Sequence, residues 1–413
     1  MKYGCIGEHL GHSFSKEIHN ALAPYEYEIC EVAREKLDEF MQRREFSAIN
    51  VTIPYKEMVI PHLHYISDTA KAIGAVNTIV NRDGKLYGYN TDHYGMSALI
   101  RRMELDLSGK KVAVLGTGGT SKTACAVAKD MGAAEIIRTS RSGKDGALTY
   151  EDFYASHSDT EIIINTTPSG MYPHPEGIPI DLEKLPKVEG VVDAVYNPLR
   201  TRLVTEARKR GIKAEGGLYM LVAQAVRASE IFIDTKYSDA DTERVYKEVL
   251  SAKENIVLIG MPASGKTTVG GLISQMLSRK LIDTDAEIIA DEKKQINDIF
   301  SEVGERGFRD IEERVIREKL LSIGGAVIAT GGGAILRDAN IDALRQNGKL
   351  FFLDRSLEKL IPTDDRPLAS TADAIKKRYE ERYPRYLAVC DVKIDADPSA
   401  EEVANHIIRE HTK

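Results

Sequence analysis

Short runs of β-branched and aliphatic residues alternate along the chain with longer stretches in which apolar positions recur every three or four residues. A period of two reads as strand and a period near 3.6 as amphipathic helix, so the pattern predicts α/β domains. One such set begins at Tyr3-Gly4-Cys5-Ile6-Gly7 and fills residues 1–105. A second spans 106–250 and closes with a helical stretch containing Glu243 to Leu250; helices near 218–250 are expected to complete the first domain as well. The polar stretch 251–254, Ser-Ala-Lys-Glu, reads as a connector, and 255–413 forms a third set.

Length agrees with this division, because 413 residues exceed one ordinary core. With 42% hydrophobic and 29% charged residues, the composition is that of a soluble globular protein. A net charge of -7 argues against a nucleic-acid or anionic-membrane partner and leaves room for local phosphate sites. The four cysteines Cys5, Cys30, Cys125 and Cys390 are scattered, which suggests neither a disulfide framework nor a zinc site. No apolar run reaches membrane-spanning length, and a cytoplasmic setting is expected.

Candidate chemistry is sharpest at Asn255-Ile-Val-Leu-Ile-Gly260-Met-Pro-Ala-Ser-Gly265-Lys266-Thr267-Thr268, which fits G-x-x-x-x-G-K-[ST]. A buried strand delivers a loop whose N–H groups, with the following helix N-terminus, cradle phosphate oxygens. Gly265 permits close backbone approach, Lys266 brings a charge to the transferring phosphate, and Thr267 offers a hydroxyl to Mg²⁺. Further on, Leu281-Ile-Asp283-Thr-Asp285 reads as a strand ending in two acids at alternate positions. Period-two geometry would put both carboxylates on one side, one near Mg²⁺ and one near an accepting hydroxyl. A plain strand-ending turn explains the same residues.

Upstream, Lys111-Val-Ala-Val-Leu115-Gly116-Thr117-Gly118-Gly119-Thr120-Ser121 reads as strand, glycine turn and helix start, with Ser121 where a dinucleotide fingerprint has its third glycine. The next strand ends in Arg138-Thr-Ser140-Arg141-Ser142-Gly-Lys144 and lacks the acid that would receive an NAD ribose. Basic and hydroxyl groups there favour NADP, although Arg138 and Lys144 also fit a solvated strand end.

In the first hundred residues polar groups gather where loops should lie: His12-Ser13-Phe14-Ser15, Asn50-Val-Thr52-Ile-Pro54-Tyr-Lys56, Ile73-Gly-Ala-Val-Asn77-Thr78 and Gly88-Tyr-Asn-Thr-Asp92. Taken singly, Ser13 or Ser15 is a helix cap, Asn77 a turn residue, Lys56 a solvated charge and Asp92 an N-cap. Together, and in this order, they resemble the shikimate dehydrogenase family. Asn165-Thr-Thr-Pro-Ser-Gly-Met171, Asp193-Ala-Val195-Tyr196-Asn-Pro198 and Gly216-Gly217-Leu-Tyr-Met-Leu-Val-Ala-Gln224 extend the resemblance. It implies that Ser13 and Ser15 hold the substrate carboxylate, that Thr52, Asn77, Tyr196 and Gln224 contact the ring, and that Lys56 and Asp92 are the catalytic dyad. It implies an NADP site at Gly116, Thr117, Gly118, Gly119, Thr120, Ser140, Arg141 and Ser142, with Val195 and Gly217 on the nicotinamide side. The chain departs from the family pattern at Lys16, usually proline, and Ala48, usually glycine.

The third set contains Gly304-Glu-Arg-Gly-Phe-Arg309-Asp-Ile-Glu312, Ala329-Thr-Gly-Gly332-Gly333, Asp365-Arg366-Pro-Leu368 and Arg382-Tyr-Pro-Arg-Tyr386 after the phosphate loop. This succession resembles shikimate kinase. The resemblance implies shikimate binding by Asp285, Arg309, Gly332, Gly333 and Arg382, with Lys266 and Asp285 catalytic. It implies ATP binding by Ala263, Ser264, Gly265, Lys266, Thr267, Thr268 and the lid residue Arg366, with Mg²⁺ at Thr267 and Asp283. Leu360-Ile-Pro-Thr-Asp364 lacks the arginine the family commonly has near the adenine.

The expected architecture is therefore an α/β substrate domain and a Rossmann NADP-binding domain, followed by a P-loop kinase domain with a parallel sheet. The expected function is consecutive NADPH-dependent reduction of 3-dehydroshikimate and ATP-dependent phosphorylation of shikimate, small molecules being the only partners implied. Rivals are a binding module that has lost hydride transfer, an unrelated nucleoside monophosphate kinase, and quinate as a dehydrogenase substrate.

Overall fold

The structure, a computed structural model, describes residues 1–8, 10, 14–360 and 372–413, without the side chains of 372 and 374. The chain forms two compact units, Met1–Val249 and Leu250–Lys413.

The first unit contains two sheets. Strands Tyr3–Gly7 (β1), Tyr27–Glu31 (β2), Ala48–Val51 (β3), Tyr65–Ile66 (β4), Thr78–Arg82 (β5) and Lys85–Tyr89 (β6) lie in the order β2-β1-β3-β5-β6-β4. β5 runs antiparallel to both β3 and β6, so this sheet is mixed. Its apolar side packs Ile6, Met41, Ile49, Val51, Tyr55 and Ile79 into one core. Strands Lys111–Leu115 (β7), Glu135–Thr139 (β8), Ile162–Asn165 (β9), Gly190–Asp193 (β10) and Lys213–Glu215 (β11) form a parallel sheet in the order β11-β10-β9-β7-β8. β9 and β10 are buried at every position, as strands covered on both faces must be. The order reverses at β7, which opens a crevice beyond its carboxyl end.

The second unit is built on strands Asn255–Ile259 (β12), Leu281–Asp283 (β13), Val327–Ala329 (β14), Gly348–Asp354 (β15) and Val392–Asp395 (β16). They are parallel in the order β13-β14-β12-β15-β16, with β12 central and buried throughout. A central buried strand holds the loop after it firmly, and the helix Lys266–Leu277 starts directly beyond that loop.

The stretch 251–254 is not an extended connector. The helix Asp239–Lys253 continues through its first three residues, and only Glu254 separates that helix from β12. Among the described residues, no helix is long and apolar enough to cross a membrane.

Candidate active sites

In the first unit, one cavity of about 590 Å³ gathers Ser15, Thr52, Lys56, Asn77, Asp92, Tyr196 and Gln224. These are the sequence-predicted substrate residues apart from Ser13, which lies outside the described residues. Lys56 follows β3, and its Nζ donates to Asp92 Oδ2 at 2.6 Å. Their side chains are only 15% and 10% exposed, so water screens the pair weakly. Asp92 opens the helix Asp92–Arg102, where the helix dipole also favours a carboxylate. Thr91 takes the cap position there, and Phe14 takes it in the helix Ser15–Leu22. Both Asp92 and Ser15 are therefore first helical residues that face the cavity, not caps.

Asn77 is held from several directions. Its Oδ1 accepts from the Thr91 amide at 2.7 Å, and its Nδ2 donates to Thr91 Oγ1 at 3.1 Å and Gln224 Oε1 at 3.4 Å. Gln224 arrives from a distant part of the chain, on the helix Leu218–Ile233, because Gly95 lets two helices touch. A Cβ at Gly95 would stand 2.5 Å from the Met220 carbonyl and 2.9 Å from Gln224 Cβ. Gly95 is a site-shaping residue to which sequence reading assigned no role; a glycine inside a helical pattern is the only signal it gives. Tyr196 lies against Phe14 with ring centroids 5.2 Å apart, and burial pushes its phenol up to about 12.

The glycine turn Gly116-Thr117-Gly118 follows β7, and the helix Gly119–Asp130 starts after it. Gly116 has φ +111°, a backbone conformation that favours glycine. Ser121 is fully buried at the third-glycine position, and its hydroxyl donates to the Gly116 carbonyl at 2.7 Å, so it ties the turn that a glycine would only accommodate. Thr120, Val195 and Gly217 line the substrate cavity too, and Gly119 would bring a Cβ within 3.9 Å of Lys56 Cδ. The turn and the Lys56–Asp92 pair thus face one space. Gly217 has no room for a side chain, since its Cβ would collide with the Ala194 carbonyl.

Beyond β8, Ser140 is buried while Arg141 and Ser142 are exposed. Arg138 donates to the Asp145 carbonyl and braces the loop. Among the described residues no hydrogen bond or ion pair engages Arg141, which leaves it available to an anion.

The second unit also has a cavity of about 590 Å³, which includes Ala263, Gly265, Lys266, Thr267 and Thr268 of the glycine loop. Lys266 Nζ donates to the carbonyls of Gly260 and Met261, both at 2.8 Å. Ser264 does not line the cavity; its hydroxyl is buried inside the loop. Asp283 ends β13 and Asp285 is the second residue of the helix Thr284–Glu292, so the expected strand alternation does not hold. The chain turns helical at Thr284 because Asp283 Oδ1 caps it, accepting from the Asp285 and Ala286 amides at 3.0 and 3.4 Å. Both acids nevertheless line the cavity. Asp283 Oδ2 accepts from Thr267 Oγ1 at 2.9 Å, a hydroxyl and a carboxylate side by side that suit an oxygen-seeking divalent cation.

The same cavity is lined by Arg309, Arg382, Gly332 and Gly333. Arg309 Nη1 donates to Glu312 Oε2 at 2.7 Å, and Arg382 Nη1 to the Gly332 carbonyl at 3.1 Å. Burial pushes the Glu312 carboxyl up, against the pull of Arg309, and holds the Arg382 guanidinium below its ordinary value. A Cβ at Gly333 would fall within the Arg309 guanidinium. Sequence reading assigned no role to Glu312, although its spacing of three from Arg309 on a helix was the available signal. Arg366 lies outside the described residues. Two buried arginines lining one small space can grip a carboxylate.

Residues 5–79 match the family "Shikimate dehydrogenase substrate binding domain" and residues 262–412 the family "Shikimate kinase". The chain is 38% identical over 264 residues to the shikimate dehydrogenase (NADP(+)) of Clostridium perfringens strain SM101, an alignment covering 60% of this chain and 97% of that relative. Its Geobacillus kaustophilus counterpart is 36% identical over 250 residues, covering 55% and 91%. Among solved structures, shikimate dehydrogenase 1 from Peptoclostridium difficile is similar at TM-score 0.57 and 34% identity, over 60% of this chain and 98% of that one. The Thermus thermophilus enzyme in complex with NADP(H) and shikimate is similar at TM-score 0.54 and 27% identity, over 60% and 99%.

Proposed function

Because the chain belongs to the shikimate dehydrogenase family and carries a shikimate kinase domain in its second unit, a bifunctional NADP- and ATP-dependent enzyme of the shikimate pathway, we propose that it reduces 3-dehydroshikimate to shikimate and then phosphorylates shikimate at the 3-hydroxyl. This reading assigns 1–105, completed by helices near 218–250, to the dehydrogenase substrate. It assigns 106–250 to NADP and 255–413 to the kinase.

The observation that carries the reading is the Lys56–Asp92 pair at 2.6 Å within a cavity that also holds Ser15, Asn77 and Gln224. NADPH supplies the hydride. Lys56 holds a proton at Nζ beside the carbonyl oxygen on which negative charge develops, and Asp92 fixes the ammonium there. Ser15 receives the carboxylate at a helix start, and Asn77 and Gln224 orient the ring hydroxyls. In the second unit Arg309 and Arg382 clamp the shikimate carboxylate. Lys266 stabilises the transferring phosphoryl group, Asp285 takes the hydroxyl proton, and Thr267 with Asp283 would hold Mg²⁺ to neutralise phosphate charge. Four free cysteines accord with a reducing, cytoplasmic setting.

The test is a substrate panel on the full chain with each nucleotide. NADPH should be consumed with 3-dehydroshikimate alone, and shikimate 3-phosphate should appear only once ATP is added. Quinate belongs on the panel, where it should turn over poorly against shikimate. Efficient oxidation of quinate would replace this reading of the first unit.

A preference for NADPH over NADH follows from the exposed, unengaged Arg141. Losing one charge-assisted phosphate contact costs about 1.5–3 kcal/mol, so Arg141→Ala should raise the KM for NADPH roughly ten- to hundredfold. The KM for NADH should stay near wild type. Equal effects on both cofactors would remove Arg141 from the phosphate site.

Gly333→Ala tests the carboxylate clamp, because its methyl group must push the Arg309 guanidinium aside. The KM for shikimate in phosphorylation should rise about tenfold or more, the scale of one charge-assisted bond. Dehydrogenase kinetics serve as the internal control. An unchanged shikimate KM would mean that Arg309 does not touch the substrate.

A further inference from the structure

We propose that Arg355 binds the polyphosphate chain of the nucleoside triphosphate above the glycine loop, an assignment that rests on the kinase reading and adds a residue to it. β15 ends at Asp354 and pairs with β12 through Ile259↔Phe352, so Arg355 emerges beside the loop that follows Ile259. The backbone on either side of it is anchored. Asp354 Oδ2 accepts from Tyr383 Oη at 3.0 Å and Lys393 Nζ at 3.1 Å, and the Ser356 amide donates to Asp397 Oδ1 at 2.9 Å. With the Asp354 carboxylate engaged by those groups, Arg355 takes no ion-pair partner from it. Among the described residues no carboxylate pairs with Arg355 at all, and its buried Nε has no hydrogen-bond partner.

The guanidinium lies over Gly265. A Cβ at Gly265 would meet Arg355 Nη1 at 3.5 Å and, among the described residues beyond its own chain neighbours, nothing else within 4 Å. Gly265 is the residue before the helix Lys266–Leu277, so the orphan amides of that first turn open onto the same space. Arg355 also lines the cavity that holds Lys266 and Thr267. A cation without a counter-acid, facing a positive helix terminus and an ammonium, is an unfavourable arrangement until an anion of high charge occupies the gap. A planar guanidinium matches phosphate oxygens bidentately, which a lysine at the same place would not.

Steady-state phosphorylation by full-length Arg355→Ala, Arg355→Gln and Arg355→Lys tests this, with calorimetric unfolding to show that each variant is folded. The alanine and glutamine variants should raise the KM for ATP about tenfold or more, lysine less, while the KM for shikimate stays within about twofold. The KM for ATP should also depend less steeply on salt in the glutamine variant than in wild type. A folded Arg355→Gln enzyme with a near-normal KM for ATP overturns the proposal, as does an effect confined to the KM for shikimate. Should the wild-type chain phosphorylate no shikimate, the kinase reading fails instead. Equilibrium dialysis of MgATP against wild type and Arg355→Gln then decides the role of Arg355 by itself, weaker retention by the variant supporting it and equal retention overturning it.

Discussion

Lys266→Ala should reduce shikimate phosphorylation by about two to three orders of magnitude, the scale of removing one preorganised charge from a transition state, while leaving NADPH-dependent reduction unchanged. Lys266 is 8% exposed and donates to two loop carbonyls, so its ammonium is held within the cavity rather than in solvent. Arg355 and the first-turn amides, in the proposed role of phosphate binders, cannot replace an ammonium placed at the transferring group. Removing Lys266 also strips both carbonyls of a donor, and the loop is expected to loosen. Lys266→Gln separates the two effects, because it keeps a donor and loses the charge. Both variants should retain a measurable KM for shikimate and lose kcat. A near-normal rate of shikimate 3-phosphate formation in either folded variant would show that this loop does not perform the transfer.

The glycine loop was legible because strand, loop and helix follow each other without interruption, and short-range order is what a sequence displays directly. The paired acids show the limit of that kind of reading. Asp283 and Asp285 share a cavity although the period-two argument for it does not hold: Asp283 caps a helix, and the turn it creates presents Asp285 by another route. Similar reasoning misplaces helix caps, since Phe14 and Thr91 occupy the cap positions and leave Ser15 and Asp92 inside the first turn. Ser121 looked like a defect in the fingerprint and instead ties the turn to itself. Least visible were residues whose roles come from distant partners. Gly95 matters because of Met220 and Gln224, and Arg355 because of a loop that lies 90 positions earlier. Neither carries a spacing signal.

The Lys56–Asp92 pair sets the expectation for the first unit. A positioned proton donor contributes about 10²–10⁴-fold to such a step, and Lys56→Ala should lower kcat for 3-dehydroshikimate reduction within that range. The KM for NADPH should change little, because Lys56 carries none of the groups assigned to the cofactor's added phosphate, which lie beyond β8 at Ser140, Arg141 and Ser142. Asp92→Asn should be milder than Lys56→Ala: it keeps a hydrogen-bond acceptor at the helix start while removing the charge that holds the ammonium. Burial complicates the lysine deletion. Asp92 would be left as a largely buried carboxylate without its partner, and breaking a buried pair costs about 3–5 kcal/mol, so thermal unfolding of the first unit must be followed alongside the kinetics. Lys56→Ala with Asp92→Asn relieves that strain on stability and should fold better than Lys56→Ala alone, yet be no faster. Recovery of kcat in the double variant would mean that the single substitution acted through folding, and that Lys56 is not the proton donor. Shikimate phosphorylation by the same preparations should stay at the wild-type rate, which ties any loss to the cavity holding the pair.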